Sequence, residues 1–491
     1  MPSAETAASH GTASKARIVT RWSSPVLLDV LLVIAIVVTG AVLRWPFIAS
    51  GAPMFVTPDS ESYLLPGWEL AHGQGFNPEL RRTPMYSVFI AGVLLLLGDN
   101  LERLAAVQHG VGVLTALVSF ACARTVFGSL AGGIAGLAVA TSGPLLIYEH
   151  YLLSEALFTF LLTAALGTVM LGLSRGSGRI LFLSGILLAL GALCRPIGQL
   201  ALPIALLFVL LSGGRSIQLG LQRLAYVALG IGLVLAPWMV RNLATHQTFA
   251  AEGALGQALI GRTIRHDRGF VYHDPARPDP DPIREAARRI ITEDAATGEP
   301  SGGRITARIR EELGLSQSQT STLLRGLALQ SIWDHRGHYA QSTWTFAWEL
   351  WDGKIERLLG HWRQRTTRNW DNKWDPRIAP LVDDELPAEG QAYRQVDAAA
   401  NFAQPFRHRR NLSYAIAIGA VLALLVPRWR LALLPFTVAL AMILASAALD
   451  GPVYRYRYPV DPLLAILAAG GIAGPLTLTW QLVQSRHRRP L

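Results

Sequence analysis

Cysteine and charge are both scarce in this chain, and each shortage removes a class of function. Its two cysteines, Cys122 and Cys194, each fall inside an apolar run. They have no metal-ligand spacing and no evident disulfide partner, so neither redox chemistry nor a metal site is expected. Charged residues make up 16% of the sequence and hydrophobic residues 51%, which is too apolar for a soluble protein of this size. Also lacking is any repeat of one half in the other, or a matched pair of interrupted apolar segments, as many secondary transporters have.

What is present is a series of apolar runs. The first, Val26 to Ile48, follows Lys15, Arg17 and Arg21, and it exceeds the roughly 7 to 15 residues of a signal-peptide core, so it reads as an uncleaved span. Ten more follow: Met85 to Leu97, Leu104 to Val126, Leu130 to Ile147, Leu152 to Leu173, Ile180 to Leu193, Ile197 to Leu211, Leu224 to Val240, Leu412 to Val426, Leu431 to Leu449, and Pro459 to Val483. The net charge of +10 is concentrated in short links and at the C-terminus, at Arg175, Arg179, Arg215, Arg223, Arg428, Arg430, Arg486, Arg488 and Arg489. These are the places where positive charge sets orientation, so the excess reports topology and not a nucleic-acid partner. Anionic lipid contact is a secondary role for it.

With those links cytosolic, an even number of crossings must separate Tyr86 from Glu149, although three apolar runs lie between them. One of the three, best the short Met85 to Leu97, is then re-entrant, interfacial or fused to its neighbour. The expectation is an all-α polytopic membrane protein with about ten crossings, eleven being the rival count. Residues 1–24 form a disordered cytosolic N-terminus, 25–243 an N-terminal membrane module with an outer loop over 49–84, and 244–410 a mainly helical extracytoplasmic domain. Residues 411–484 form the C-terminal membrane helices and 485–491 a basic cytosolic tail.

The loop from Met54 to Tyr86 is the polar segment the rest is organised around. Asp59 follows Pro58, which marks a turn, and Ser60 to Leu70 has helix-compatible composition with Leu64, Leu65 and Trp68 on an apolar face. Asp59 at that helix entrance has the placement of a general base, and Arg81 or Arg82 that of an anion-stabilising group. An ordinary solvated loop with an acid at a helix start competes with this reading. In the outer domain, Asp274 to Pro282 is a proline-punctuated linker, and Ile283 to Ile291 and Ser321 to Trp333 have amphipathic spacing. Trp344, Trp348 and Trp351 share one helical face, which suits packing or the headgroup region better than a sugar-stacking platform.

Ionisable groups within or beside apolar runs are costly unless they are paired or line a wet cavity. Glu149, Glu155, Arg195, Arg241, Asp450, Arg455 and Arg457 are such groups, and the topology puts all of them on the outer side. Interfacial anchoring accounts for any one of them. Together they describe a cavity that holds an anionic head group beside a proton acceptor.

The motifs resemble those of the GT-C class of integral-membrane glycosyltransferases that use polyprenyl-phosphate sugars, the protein O-mannosyltransferases and aminoarabinose transferases among them. The resemblance rests on Asp59 and Tyr63, Gly73 and Gly75, and Arg82-Thr83-Pro84-Met85-Tyr86. It continues with Leu153-Ser154-Glu155, Arg195-Pro196, Pro237-Trp238-Met239-Val240-Arg241-Asn242, and Arg455-Tyr456-Arg457-Tyr458-Pro459-Val460-Asp461-Pro462. It runs in order through most of the membrane part, and the outer segment from Ala244 to Arg410 matches in little beyond size and position. Ser60 stands where relatives often carry a second acid, and Glu61 is an acid out of step with them.

The resemblance implies sugar transfer from a polyprenyl-phosphate donor to a hydroxyl of a glycan, lipid or protein acceptor, at the outer face of the plasma (inner) membrane. Asp59 would be the base of an inverting displacement, and Arg82, Arg241, Arg455 and Arg457 would hold the donor phosphate. Glu61, Tyr63, Arg81, Tyr86, Glu149, Glu155 and Arg195 would support the sugar, the acceptor or the site, with no metal and no cofactor. The alternative from another class is a transporter or flippase of an anionic lipid-linked sugar, which would need no carboxylate at position 59.

Overall fold

The computed structural model describes residues 25–49, 54–57, 59–78, 82–246, 255–267, 272, 276, 278–298, 301–352, 374–382 and 409–487. The N-terminal segment expected to be disordered, Arg81, three residues of the proline-punctuated linker (Asp274, Pro275 and Arg277) and the last four residues lie outside the described residues. Within them every apolar run forms helix, as it must where no water satisfies the backbone. There is no strand among the described residues; one isolated bridge joins Phe55 to Tyr151.

The membrane part comprises α1 (Pro25–Ala49), the loop helix α2 (Glu61–Ala71), α3 (Met85–Leu97), α4 (Leu101–Phe127), α5 (Ser129–Ala140), α6 (Gly143–Glu149), α7 (Glu155–Arg175), α8 (Gly178–Cys194), α9 (Ala201–Leu211) and α10 (Ile217–His246). Among the described residues, six helices are long and apolar enough to cross a membrane, or seven if α5 and α6, bent by 53°, form one span. Four shorter apolar helices, Met85–Leu97, Gly178–Cys194, Pro196–Leu211 and Leu412–Leu425, account for the other runs. The expected ten or eleven crossings therefore depend on these. The 13 residues of α3 reach roughly 20 Å, short of the ~30 Å hydrocarbon core.

Small residues let the helices meet closely, as expected where lipid offers no hydrophobic drive to association. A Cβ on Gly185 would lie 2.1 Å from the Val227 carbonyl oxygen, and one on Gly230 2.2 Å from that of Phe182, so α8 and α10 touch backbone to backbone.

The polar segment after α10 holds a cluster of α11 (Leu255–His266), α12 (Pro282–Ala296), α13 (Gly302–Leu313) and α14 (Gln317–Asp334) around Leu259, Ile260, Ile290, Ile305, Leu324 and Leu327. The amphipathic spacing read at Ile283 to Ile291 and Ser321 to Trp333 thus falls on two of its helices. Asp281 caps α12 by accepting from the Ile283 and Arg284 amides, with Pro282 at the first helical position. Beyond it run α15 (Arg336–Asp352) and the C-terminal helices α16 (Arg409–Leu425), α17 (Leu433–Leu449) and α18 (Asp461–His487).

Arg262 fastens α11 to the end of α17: its Nε donates to the Ala447 carbonyl at 3.0 Å, and it pairs with buried Asp267. Tyr339 donates to the neighbouring Ala448 carbonyl. This joint sits one turn before Asp450. Of the three tryptophans on α15, Trp351 donates to Ser413 Oγ at 3.1 Å, while Trp344 and Trp348 are exposed.

Candidate active site

The turn that carries Asp59 is pinned from both sides. Ser60 Oγ accepts from the Thr57 amide at 2.9 Å and donates to the Leu152 carbonyl at 3.0 Å. The Phe55 amide donates to the His150 carbonyl, and the Leu152 amide to the Phe55 carbonyl. Ser60 is therefore spent in tying the loop to the α6–α7 connection. A larger acid there would have to break that tie.

Behind the loop lies a buried polar brace. Arg44 Nε and Nη2 hold Glu149 at 2.7 and 2.6 Å, and His109 Nδ1 meets the same carboxylate at 3.0 Å. The brace requires glycine at 112, where an added Cβ would lie 1.9 Å from Glu149 Oε1. Gln108 donates to the Glu149 and Tyr151 carbonyls, both at 2.9 Å, and accepts from Tyr86. Tyr86 packs edge-on against Tyr63.

In front of the loop is a cavity of about 400 Å³. Its polar wall includes Asp59, Tyr63, Arg82, Glu155, Arg195, Gln199, Asp450, Arg455 and Tyr456, and its apolar wall Leu153, Ile197, Leu200, Leu255 and Leu449. Asp59 stands between two arginines. Its Oδ1 accepts from Arg82 Nη2 at 2.5 Å and its Oδ2 from Arg455 Nη1 at 3.0 Å. Burial acts to raise the Asp59 pKa, but the two guanidinium charges outweigh it and hold the carboxyl well below the usual range.

Each arginine also has a tyrosine seat. Arg82 lies 4.7 Å from the centre of the Tyr63 ring and donates to its hydroxyl at 3.2 Å. Arg455 lies 5.2 Å from the Tyr456 ring, which Arg195 approaches at 5.1 Å. Arg195 pairs with Glu155, the buried first residue of α7. Three arginines and three carboxylates, Asp59, Glu155 and Asp450, thus line one partly apolar chamber, and its guanidinium groups suit an anionic group carried on an apolar body.

Of the charged and tyrosine residues singled out from sequence as site candidates, Asp59, Tyr63, Arg82, Glu155, Arg195, Asp450 and Arg455 come together here. Glu61, Tyr86, Glu149, Arg241 and Arg457 do not line the cavity. Glu61 accepts from the Asp375 amide at 2.9 Å, part of a strap over residues 374–382 in which Arg377 also holds Glu69 at 3.0 Å. Tyr86 and Glu149 belong to the brace. Arg241 donates to Asn77 at 2.9 Å and lies over Trp238, and Arg457 pairs with Asp461. Arg81 lies outside the described residues. The sequence reading passed over Arg44 and His109, although an arginine inside the first apolar run was a signal of the same kind as those it used.

Residues 81–240 match the family described as dolichyl-phosphate-mannose-protein mannosyltransferase. The chain is thus similar to membrane glycosyltransferases of the GT-C type, in line with the resemblance carried by its motifs. Asp59 and Arg455 lie outside the matched stretch.

Among solved structures, the archaeal oligosaccharyltransferase AglB from Archaeoglobus fulgidus, in complex with an inhibitory peptide and a dolichol-phosphate, is similar at 14% identity and a TM-score of 0.47. The alignment covers 94% of this chain and 52% of AglB, so the chain spans about half the length of that protein. ArnT from Cupriavidus metallidurans, bound to undecaprenyl phosphate, is similar at 14% identity and a TM-score of 0.37, over 91% of this chain and 78% of ArnT. No curated protein matches the chain in sequence.

Proposed function

We propose that this protein transfers a sugar from a polyprenyl-phosphate donor to an acceptor hydroxyl at the extracytoplasmic face of the plasma membrane. The observation that carries the reading is Asp59 held between Arg82 and Arg455 at the wall of the 400 Å³ cavity. Asp59 takes the acceptor proton as the acceptor oxygen bonds to the anomeric carbon. The bond from that carbon to the phosphate oxygen breaks with its electron pair on oxygen, leaving polyprenyl phosphate and an inverted anomeric centre. Arg82 and Arg455 hold the charge that grows on the leaving phosphate, with Arg195 near. The work asked of the protein is positioning and electrostatic stabilisation.

Sidedness is supported by the helices themselves. Glu155 and Arg175 are the two ends of the 21-residue α7, about 30 Å apart at 1.5 Å per residue. The site therefore opens at the end opposite a basic link.

The test is transfer of labelled sugar from a panel of polyprenyl-phosphate sugars by membranes that contain the protein. Product is expected with one donor class. Donors left unconsumed but moved across the bilayer would replace this reading with transport. Glu155→Ala, which leaves Arg195 without its counter-charge, is expected to slow transfer by up to about 10²-fold by loosening the cavity wall. An unchanged rate would remove Glu155 from the site.

A further inference from the structure

The anion site is already occupied by the protein's own carboxylate. Both oxygens of Asp59 are engaged, one by each arginine. The arginines are under-used by comparison: Arg82 Nε and Arg455 Nε are buried with no hydrogen-bond partner. A guanidinium offers five N–H donors in a flat fork that fits a phosphate as readily as a carboxylate. Each also keeps its tyrosine seat, on Tyr63 or Tyr456, which does not involve Asp59. The cations therefore stay in place if the carboxylate lets go.

Resting on the donor reading above, we infer that Asp59 is the resident counter-anion of this site, and that the donor phosphate displaces it from Arg82 and Arg455. The same exchange frees the base. Before a donor binds, each oxygen of Asp59 is held by a guanidinium, which weakens it as a proton acceptor toward an acceptor hydroxyl. Once the phosphate has drawn the two guanidinium groups to itself, an oxygen of Asp59 turns to the acceptor. Donor binding must then precede productive acceptor binding, and the competent carboxylate exists only beside the group it is to act with.

The consequence is opposite to that of losing an ordinary site residue. Removing the resident anion should tighten phosphate binding while transfer is lost, because binding no longer competes with Asp59 for the arginines. If Asp59 occupies them nine-tenths of the time, the gain is about tenfold. The experiment is binding of polyprenyl phosphate, without sugar, to purified protein in nanodiscs, comparing wild type, Asp59→Asn and Asp59→Ser, with Glu69→Gln as a control. Glu69 stands on the loop helix α2 outside the cavity, where it pairs with Arg377.

Tighter binding by about tenfold in either Asp59 variant, with little change in Glu69→Gln, is the expected result. Asp59 variants that bind as wild type or more weakly would overturn the exchange and leave the donor reading standing. An equal gain in Glu69→Gln would also overturn it, because any lost negative charge would then do the same. If no form of the protein binds the lipid phosphate, the donor reading itself fails. Inorganic phosphate in a parallel arm separates a requirement for the lipid from recognition of phosphate alone.

Discussion

Asp59→Asn is expected to fold as wild type and to transfer sugar about 10²- to 10⁴-fold more slowly, the usual worth of a positioned general base. Asparagine has nearly the shape of aspartate and can still accept from one arginine through its amide oxygen. It cannot take up the acceptor proton, and it no longer neutralises the guanidinium pair. Initial rates with the donor found active, at matched amounts of folded protein in membranes, decide the matter. A rate within about threefold of wild type, far less than base loss costs, would show that proton removal happens elsewhere.

The second large effect is structural. Arg44→Met should destabilise the protein by about 3–5 kcal/mol, because it leaves Glu149 charged and buried with no guanidinium against it. Arg44 is 2% exposed, and Nη1 also donates at 3.1 Å to the carbonyls of Gly40 and Ala140. Adding Glu149→Gln removes the stranded charge, so the double variant should recover part of the loss. Denaturation in detergent measures both. A double variant no better than the single one would mean that burial of the Glu149 charge is not the source of the cost. Because the Glu149 carbonyl and its neighbours anchor Gln108 and Phe55, the weakened protein should also lose order around Asp59.

Much of the cavity was legible because apolar surroundings make charge expensive. Acids and arginines at the ends of apolar runs must be paired or wetted, and sharing one chamber does both. That argument brought Glu155, Arg195, Asp450 and Arg455 to one side of the membrane without a contact map, and Asp59 came from the turn in its own loop. It could not tell the cavity from the brace, since Glu149 and Glu155 look alike in sequence and differ only in which helix faces them. Arg457 is instructive, because its partner Asp461 stands four residues on and one helical turn would have suggested the pair. Glu61 offered no such hint: it meets Asp375 from 314 residues away. The crossing count stayed open for a different reason. Four of the apolar helices are too short for composition to decide whether they span.

Arg455 reaches Asp59 across 396 residues of sequence. A chain laid into the bilayer from its N-terminus places the loop with Asp59 and Arg82 early, when Ser446, Leu449, Asp450 and Arg455 do not yet exist. At that stage one wall of the chamber is missing and a single guanidinium attends the carboxylate. The chamber closes with the arrival of the last two helices. Competence for the proposed transfer is thereby tied to completion of synthesis: a nascent or C-terminally clipped chain, however well its first ten helices have packed, has only part of the chamber wall.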